Sequence, residues 1–482
     1  MAKVSRGHTI TAGITLVALL LLAEGAGAVK EINSCTDITS PDTYVLSANI
    51  VNSAASRCIN ITSSNVILDG AGYTIDGTGA EGTYGILVYD PAGMGLKNIN
   101  VKNLKVTDWY YGIYYGTYDI GYFETKDGSI TDNFISSNHS GITLEYTSNH
   151  TLTNNSVISG GINIAYSWGT KITNNNAGIS LGHSYDNTIT DNNASSRGGI
   201  YFYYVSDNIV TRNDVSSNRY GISTSFAIRN TLADNRVTES GTGIYLGPAT
   251  ESNTITDNDI STNGYGISSH GASNNTITNN TVSSNDYGIY LADSSNNNII
   301  YNNYFNNTNN AWDDGNNIWN IRKTAGTNVI GGSWLGGNYW SDYAGEDING
   351  DGLGETLIPY NSENITNGGD NLPLVRTSVF HVVTGIGFSD MNRNGVRDAG
   401  EEGLENWTIQ LKGTEKHTGR IVKRTAITGT SGNYVFADLK PGIYIISEVQ
   451  KQGWIPTTSP VRPVRLAEGQ NTIVDFGNKK IR

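Results

Sequence analysis

A Gly-Ile dipeptide returns at a nearly constant interval through the middle of this chain, and this repeat restricts the fold more than any other feature. From Gly178 onward the intervals are 21, 22, 22, 23 and 22 residues. A unit this short cannot bury its own apolar side chains, so successive units must stack to form a continuous core. The sequence therefore predicts a solenoid. The glycines of the dipeptide are Gly85, Gly112, Gly141, Gly161, Gly178, Gly199, Gly221, Gly243, Gly266 and Gly288.

Each unit contains three short segments in which apolar residues alternate with threonine or serine. Alternation with a period of two is typical of β-strands that are buried on one face. Within one unit we expect Ile255, Ile260 and Ile267 to point inward, one from each segment. Three strands per unit describe one coil of a parallel β-helix. A leucine-rich repeat would need a leucine frame that is absent, and a propeller would need a period of about 40 residues.

An asparagine recurs in phase with the dipeptide and closes polar blocks such as the one from Asn253 to Asn258. Asparagine tolerates the left-handed backbone conformation, which suits a tight corner. We expect stacked coils to place these carboxamides above one another in a hydrogen-bonded ladder. The asparagines are Asn133, Asn155, Asn175, Asn192, Asn213, Asn235, Asn258, Asn280 and Asn303.

Composition and charge exclude several classes of protein. Hydrophobic residues make up 37% of the chain and charged residues 16%, which excludes a coiled coil and a highly charged disordered chain. The net charge of −13 gives the chain no basis for attracting nucleic acid or an anionic membrane. An acidic surface does suit divalent cations and an external environment.

The first 28 residues have the three parts of a secretory signal peptide. Lys3 and Arg6 precede an apolar run at 14–23, and the small residues at 26–28 predict cleavage after Ala28. The apolar run is shorter than the ~20 residues that a membrane-spanning helix needs. We therefore predict an extracellular protein, secreted or on the cell surface, with no membrane span after signal cleavage.

Cys35 and Cys58 are the two cysteines of the chain, and both lie near the predicted mature N-terminus. An oxidising exterior permits a bridge between them. We predict a structural disulfide that clamps the first coil, in preference to two free thiols.

Residues 390–401 fit all the positions of the twelve-residue calcium loop. Gly395 permits the sharp turn, and Glu401 can close the site with both carboxylate oxygens. A polar surface turn is the alternative. The predicted calcium ligands are Asp390, Asn392, Asn394, the carbonyl of Val396, Asp398 and Glu401.

A second loop begins at Asp347 and has the same oxygen ligands at its early positions, but its last position is Ile358. A bidentate closer is therefore missing, unless Asp370 supplies it from farther along the chain. Calcium in a structural role is the one cofactor that the sequence predicts. The ligands predicted in this second loop are Asp347, Asn349, Asp351, Leu353 and Glu355.

Four stretches outside the repeats carry a family resemblance. They are the opening from Cys35 to Leu46, the strand from Cys58, the segment Leu68 to Gly77, and the segment Gly337 to Tyr343. The chain from about residue 35 to 375 resembles the NosD-like carbohydrate-binding and sugar-hydrolase (CASH) β-helix proteins of archaeal cell surfaces. The resemblance implies an all-β, right-handed, single-stranded parallel β-helix of the pectin-lyase-like type. It implies a fold more than an activity.

The C-terminal part carries a second resemblance. The segment Phe436 to Tyr444, with Glu448 and Trp454 beyond it, resembles the B-type domain of serine-aspartate repeat adhesins. That family implies a small immunoglobulin/prealbumin-like β-sandwich that acts as a calcium-stapled spacer. Related collagen-adhesin domains carry a Lys–Asn cross-link, which we do not expect because the segment 382–388 contains no lysine.

These features divide the chain into five predicted parts. They are a signal peptide at 1–28, an N-terminal cap with the disulfide at 29–80, β-helix repeats at 81–310, a NosD-like region with the partial calcium loop at 311–376, and an SdrD B-like sandwich at 379–482.

Many β-helix enzymes cleave or epimerise acidic polysaccharides, but their histidine and arginine signatures are missing here. The acids that precede the corner asparagines alternate with asparagine and arginine, whereas a general acid and base need particular carboxylates held together. We interpret these acids as solvated surface and predict no catalytic residues. If the protein is an enzyme, the candidates are Asp191, Arg212, Asp214 and Asp234. Scattered histidines likewise argue against copper.

Glycan binding is better supported, because tyrosine often occupies the outward position after the Gly-Ile pair. Tyrosine can stack on a sugar face while its hydroxyl forms hydrogen bonds. Ordinary strand surface is the alternative. The glycan-binding candidates are Tyr114, Tyr201, Tyr245 and Tyr290. A second aromatic set at matching coil positions is interpreted as an internal stack, and it comprises Tyr146, Tyr166, His183, Tyr204 and Phe226.

The sequence thus predicts a non-enzymatic cell-surface protein that binds a polysaccharide or cell-envelope glycan, or that forms an adhesion scaffold with protein partners in the envelope. The first alternative is a polysaccharide lyase, hydrolase or epimerase that acts on the β-helix face. The second is a spacer that binds no glycan.

Overall fold

The computed structural model describes residues 29–116, 125–360, 364–376, 381–416, 420–467 and 471–481. The predicted signal peptide lies outside these residues. The described chain forms two compact units. Unit one comprises residues up to 319 together with 364–369, and unit two comprises 320–360 and 370–481.

Unit one is a right-handed parallel β-helix with one strand of each sheet per coil. In sheet one, thirteen described strands stack in parallel and in register, so that Ile255 pairs with Leu232 on one side and with Ile277 on the other. Its strands are Lys30–Ile32, Asp42–Leu46, Val66–Asp69, Ile99–Lys102, Ser129–Thr131, Thr151–Thr153, Lys171–Thr173, Thr188–Thr190, Ile209–Thr211, Thr231–Ala233, Thr254–Thr256, Thr276–Thr278 and Ile299–Tyr301.

Sheet two also has thirteen described parallel strands, and it contains the Gly-Ile repeats. Its strands are Thr36–Ile38, Arg57–Ile61, Tyr84–Val88, Tyr111–Tyr115, Ser140–Glu145, Ile162–Ala165, Ile179–Gly182, Ile200–Ser206, Tyr220–Ile228, Thr242–Leu246, Tyr265–His270, Tyr287–Ala292 and Asn309–Asp313.

Sheet three has two stretches, which single-residue bridges through Asn176 and Asn193 connect. The first stretch comprises Thr74–Asp76, Lys105–Thr107, Phe134–Ser136 and Ser156–Val157. The second comprises Asp214–Ser216, Arg236–Thr238, Asp259–Ser261, Thr281–Ser283 and Tyr304–Asn306. A small parallel pair, Thr125–Lys126 with Thr147–Ser148, lies outside these sheets.

Aliphatic side chains fill the interior of the β-helix. Ile255, Ile260 and Ile267 are fully buried, as predicted. The glycine of the dipeptide is needed for close approach, since a Cβ on Gly243 would lie 2.6 Å from the carbonyl oxygen of Gly266 and 2.8 Å from the side chain of Ile260. The repeat therefore reflects packing between successive coils.

The predicted asparagine ladder is present and buried. Asn258 is representative, because its Nδ2 donates to Oδ1 of Asn280 and to the carbonyl of Leu232, both at 2.9 Å. Its Oδ1 accepts the backbone N–H and the Nδ2 of Asn235 at 2.9 and 3.0 Å. Each carboxamide thus joins neighbouring coils and satisfies backbone groups that the corner leaves unpaired.

The expectation that the ladder asparagine itself is left-handed was wrong. The left-handed residue is the one before it, with φ of 56° at Asp257, 54° at Asp234 and 54° at Arg212. Aspartate and asparagine are tolerated in this conformation because their short side chains bond locally. This backbone requirement explains why Asp and Asn alternate at this position, and it agrees with their interpretation as surface.

Two further ladders, which the sequence analysis missed, run along the other corners. One precedes sheet one and comprises Asn187, Asn208, Asn230, Asn253, Asn275, Asn298 and Asn317. The other precedes sheet two and comprises Asn218, Ser240, Asn263, Asn285 and Asn307. The signal was present, since Asn253 opens the same polar block that Asn258 closes.

His150 occupies the corner position that asparagine takes in later coils, immediately before a strand of sheet one. Its Nδ1 accepts the N–H of Gly128 at 3.2 Å, and its Nε2 lies 3.0 Å from the carbonyl oxygen of Thr125. Burial lowers the pKa of His150 below the ordinary value of 6.5. Burial therefore favours the neutral imidazole at this corner.

We expect His150 to make the β-helix less stable in acid. The unfolded chain takes up this proton near pH 6.5 but the folded chain does not, so stability is full above that pH and falls as pH drops below it. The loss is at most about 1.4 kcal/mol per pH unit. Replacing His150 with Asn should remove this contribution. Thermal unfolding of both proteins at pH 5 and pH 8 measures it, and an equal change for both proteins would contradict it.

Cys35 and Cys58 form the predicted disulfide. It joins residues 23 positions apart, so its main effect is to restrict the unfolded chain. Replacing both cysteines with serine should lower the free energy of unfolding by about 3 kcal/mol. Denaturant unfolding of the variant, beside wild type with and without reductant, tests this. Equal stability of the variant and oxidised wild type would contradict it.

Unit two contains the predicted β-sandwich. One sheet comprises Asn433–Leu439, His381–Ser389, Phe476–Lys480 and Trp454–Pro456, with Thr472–Ile473 beside the second of these. The other comprises Ile421–Ile427, Thr408–Glu415, Gly442–Glu448 and Val461–Leu466. Short strands at Thr324–Ala325, Trp334–Leu335 and Tyr339–Trp340 precede the sandwich in the chain. The core is formed by Val383, Ile409, Leu411, Tyr434, Phe436, Leu439, Tyr444, Ile446, Val464, Leu466, Val474 and Phe476.

Candidate functional site

The outward face of sheet two carries a row in which aromatic residues alternate with serines before two aromatic residues end it. The register aligns Tyr201, Ser223, Tyr245, Ser268, Tyr290 and Trp312. Tyr201 is 43% exposed, whereas the serines between the tyrosines are buried. All four tyrosines predicted to bind glycan lie in this register row, because Tyr114 aligns with Tyr201 through Thr143, Asn163 and Ser180 on the coils between them, but Tyr114 is buried.

Around the end of this row, aromatic side chains from five coils form what we name the C-terminal aromatic cluster. Tyr290 stacks on Trp312 with ring centroids 4.4 Å apart, and Tyr265 stacks on Tyr287 at 5.2 Å. Tyr265 also meets Tyr290 edge to face at 5.3 Å. The cluster comprises Tyr220, Tyr245, Tyr265, His270, Tyr287, Tyr290 and Trp312.

His270 lies inside the cluster, between Tyr245 at 5.7 Å and Tyr290 at 6.0 Å. Its Nδ1 is 2.8 Å from Oδ2 of Asp293. Burial raises the pKa of both tyrosines, so their hydroxyls remain protonated and can donate hydrogen bonds. His270 was not among the predicted site residues, although it lies two residues beyond Ser268 and therefore on the same outward side of its strand.

The structure corrects the prediction for Tyr114. This side chain is buried, its hydroxyl donates to Oε2 of Glu145 at 2.5 Å, and its ring contacts Tyr84 and Tyr111 at 5.5 and 5.3 Å. Burial raises its pKa, as does the bond to Glu145. Tyr114 therefore does not offer a free ring face to a sugar.

The second aromatic set does form a stack, but its predicted location inside the β-helix was wrong. Tyr146, Tyr166 and Tyr204 are 38%, 41% and 44% exposed. Adjacent rings lie 4.4 to 5.0 Å apart with planes 3 to 8° from parallel. All five residues have φ near +50°, so the backbone turns each ring out at the corner. We name this set, Tyr146, Tyr166, His183, Tyr204 and Phe226, the aromatic column.

The four candidate catalytic residues do not form an acid–base pair. Asp191 makes a bidentate ion pair with Arg212 at 2.8 and 2.9 Å, which lowers the pKa of Asp191. Asp214 pairs with Arg236 at 3.0 Å, and Asp234 is exposed. A general acid needs a raised pKa, whereas the pKa of Asp191 is lowered.

The loop at 390–401 folds around its own carboxylates. Asp390 accepts the N–H groups of Arg393 and Gly395, and Glu401 accepts those of Met391 and Asp398. Burial opposes ionisation of Asp390, but hydrogen bonds from Thr457 and from loop backbone N–H groups lower its pKa overall.

The other predicted ligands of this loop lie around Asp398. Its Oδ2 accepts the side-chain amides of Asn392 and Asn394, both at 2.7 Å. The side chains of this loop supply carboxylate and amide oxygens, which are ligands that calcium prefers.

In the loop at 347–355, carboxylate oxygens of Asp347, Asp351 and Glu355 lie within 4.8 Å of one another, the one such acidic group among the described residues. Asn349 donates to Glu355, and Lys323 forms a short ion pair with Asp351. The backbone N–H of Leu353 donates to Oδ1 of Asp351 at 2.9 Å. The loop that lacks a twelfth ligand is therefore the one whose carboxylates converge.

Asp370 does not close this second loop, contrary to the expectation. It is buried and accepts the N–H of Asn338, the Nε1–H of Trp340 and the N–H of Leu372 at 2.7, 2.9 and 2.9 Å. Burial raises the pKa of Asp370 to about 7. Its contacts assign it to the internal framework of unit two.

The fold and these sites define a parallel β-helix protein with an aromatic outer face and a C-terminal β-sandwich. The chain belongs to the NosD family, since the model described as "Periplasmic copper-binding protein (NosD)" matches residues 49–197 and 170–345. The SdrD B-like domain model matches residues 383–462. Both resemblances seen in the sequence are confirmed. Among the described residues, no helix is long and apolar enough to cross a membrane.

Curated relatives match a minor part of the chain. Serine-aspartate repeat-containing protein D of Staphylococcus aureus (strain Newman) is 29% identical over 116 residues, which is 23% of this chain and 8% of that protein. Bone sialoprotein-binding protein of Staphylococcus aureus (strain MRSA252) is 34% identical over 70 residues, 14% of this chain and 6% of that protein. The chain thus spans less than a tenth of the length of these relatives.

Solved structures resemble the chain more distantly. The Dettilon tailspike protein has a TM-score of 0.40 at 14% identity and covers 87% of this chain and 70% of its own. The A-module of mannuronan C-5 epimerase AlgE6 from Azotobacter vinelandii has a TM-score of 0.36 at 14% identity, and the match covers 58% of this chain and 89% of that one. DFA-IIIase from Arthrobacter chlorophenolicus A6 has a TM-score of 0.43 at 12% identity, and the match covers 59% of this chain and 89% of that one. No functional conclusion follows from these values.

The copper in the family description does not fit the donors among the described residues. Copper sites need clustered histidine, cysteine or methionine ligands. Both cysteines are in the disulfide, and the described histidines have separate surroundings. His139 stacks on Tyr110, His150 is in a corner ladder, His183 is in the aromatic column, His270 pairs with Asp293, and His381 is in the sandwich.

Proposed function

We propose that this chain is a non-catalytic cell-envelope protein that binds glycan on the outward face of sheet two. The observation that carries the proposal is the C-terminal aromatic cluster. Its aromatic residues are in part exposed to solvent on five adjacent coils, and they surround a His270–Asp293 pair. The ring faces suit the apolar face of a sugar, and the hydroxyl, imidazole and carboxylate groups suit sugar hydroxyls.

The regular stacking of coils favours an extended ligand. Adjacent parallel strands are ~4.8 Å apart, so the five coils of the cluster span about 19 Å along the helix axis. That length matches several sugar units better than a single one. The cluster therefore supports a polysaccharide or oligosaccharide ligand.

The proposal that the protein does not act on its ligand follows from the surroundings of its acids. The candidate acids Asp191, Asp214 and Asp234 are on the surface, and two of them, Asp191 and Asp214, form ion pairs with arginine. Transition-state chemistry on a glycosidic bond needs a carboxyl group in a desolvated setting. Among the described residues on the outward face of sheet two, no pair of carboxyl groups has a desolvated setting of this kind.

We assign calcium to the loops at 390–401 and 347–355, where it would tie the folding of unit two to metal binding. Oxygen-only ligand sets support this assignment. A calcium-stapled sandwich would serve as a spacer that presents the β-helix.

An extracellular or envelope location agrees with the word periplasmic in the family description and with the serine-aspartate repeat relatives. One relative is named for binding bone sialoprotein, so a protein partner in the envelope is included in the proposal. The proposal also includes secretion through the predicted signal peptide.

A glycan array with wild type and a Tyr245→Ala/Tyr290→Ala double variant, in the presence of calcium, tests glycan binding. Wild type should bind at least one glycan class, and the double variant should lose most of that signal. Tyr301→Ala, on sheet one, is the matched control and should bind like wild type. If wild type binds no glycan, the protein is a spacer and the proposal fails.

The His270–Asp293 pair favours one second candidate, an enzyme that uses His270 as a base on the same face. Asp293 would orient the imidazole so that Nε2 faces the ligand. His270→Ala separates the two candidates. For a binding protein this change weakens affinity only, whereas for an enzyme it abolishes product formation while binding persists.

A further inference from the structure

The aromatic column cannot itself be a platform for sugars along most of its length. Each inner ring has a neighbour stacked on both faces, at 4.8 Å on either side of Tyr166 and at 4.8 and 5.0 Å on the two sides of His183. Only ring edges therefore face solvent. A sugar stacks on a ring face, so a site beside the column needs a ring in a different orientation.

Tyr203 provides that orientation. Its ring is 86° from the planes of His183, Tyr204 and Phe226, at centroid distances of 6.2, 4.6 and 5.7 Å. Among the described residues no ring stacks parallel to it, and Tyr203 is 39% exposed. Three perpendicular contacts fix the ring in place, which reduces the entropy lost when a ligand binds.

The coils before Tyr203 carry only short side chains on the outward face. Strand register aligns Tyr203 with Gly182 and Ala165, and aligns Tyr201 with Ser180 and Asn163. A Cβ on Gly182 would find the carbonyl oxygen of Tyr203 as its nearest neighbour, at 3.9 Å, so the space above it is open. We name Asn163, Ala165, Ser180 and Gly182 the trough.

The trough has a defined length. Glu145 aligns with Ala165 and stands at the far end, three strands from Tyr203. At ~4.8 Å per strand the two ends are about 14 Å apart, which is room for one or two sugar rings.

The lining of the trough is polar but carries no cation. Ser180 offers a hydroxyl and Asn163 offers its carboxamide oxygen, because Nδ2 of Asn163 already donates to Oγ of Ser140 at 3.1 Å and to the carbonyl of Gly160 at 2.8 Å. The carboxylate of Glu145 already accepts the hydroxyl of Tyr114. None of the four trough residues is lysine or arginine, so a uronate would meet no opposite charge there. A neutral sugar can bind there without the free-energy cost of desolvating an unpaired charge.

We propose that the trough is a subsite for a neutral pyranose, which stacks on Tyr203 and bonds through its hydroxyls to Asn163 and Ser180. This inference rests on the proposed function and deepens it, because it names the ligand class and a position about two coils from the C-terminal aromatic cluster. Tyr203 is the residue that orients the sugar.

The test is a titration of the full chain with cellohexaose, mannohexaose and hexagalacturonate, followed by saturation-transfer NMR. Tyr203→Ala removes the platform, and Gly182→Leu fills the trough without removing any ring. Both variants should bind the neutral hexasaccharide at least about tenfold more weakly than wild type. Tyr301→Ala is the control, and circular dichroism checks that each variant is folded.

Three results would overturn the inference. One is wild-type affinity in both variants while Tyr290→Ala loses binding, which would leave the proposed function standing. Another is hexagalacturonate bound more tightly than the neutral probes and dependent on Tyr203. The last is that wild type binds neither neutral probe. If the glycan array also shows no ligand, the proposed function fails together with this inference.

Discussion

Replacing Asn258 with alanine should be among the most destabilising single changes in the β-helix. The change removes a carboxamide that bonds Asn280, Leu232 and Asn235. The backbone N–H of Asn235 and the carbonyl of Leu232 then remain buried without these partners, and each such group costs about 1–3 kcal/mol. We expect the free energy of unfolding to fall by about 3–5 kcal/mol.

Thermal unfolding and hydrogen exchange measure this effect. Since each coil contacts its neighbours, exchange should speed up first in the coils adjacent to residue 258. Ser261→Ala, an outward substitution in the following strand, is the matched control and should change stability by less than about 0.5 kcal/mol. Equal stability of the two variants would show that the ladder is not a main source of stability.

Removing calcium should destabilise unit two by a similar amount. A ligand present at about 1,000 times its dissociation constant stabilises the folded state by about 4 kcal/mol, and chelation removes this contribution. We expect a chelator to lower the melting temperature of wild type and calcium to restore it. Asp390→Ala and Asp347→Ala should each lose part of this response, because they remove the first ligand of each loop.

The control for the calcium experiment is Glu405→Gln, an exposed acid close to the first loop in sequence. It should respond to chelation like wild type. A melting temperature of wild type that is the same with chelator and with calcium would show that neither loop binds the metal with structural effect.

Much of the β-helix could be predicted from the sequence, because the residues that recur with its period each have a single structural role. Gly243 recurs where a Cβ would collide with the next coil, and Ile255 recurs where the core needs an aliphatic side chain. The disulfide followed from two cysteines alone. The ladder prediction did not separate the two roles at a corner, where Asp257 turns the backbone and Asn258 forms the hydrogen bonds between coils.

The candidate site was harder to predict, because a period of two does not apply where a strand passes into a corner. Tyr204 was predicted to belong to an internal stack, but its φ of 54° turns it to the surface. Tyr114 occupies the outward row yet is covered by its neighbours. Both outcomes depend on the arrangement of adjacent coils, which spacing within one coil does not specify.

Whether sheet two binds glycan without changing it is tested most directly by incubating the protein with each glycan that it binds and analysing what is recovered. The proposed function predicts that the glycan returns intact after elution, with no new reducing ends and no unsaturated uronates. Release of either product by wild type, but not by His270→Ala, would contradict the proposal and identify the protein as an enzyme.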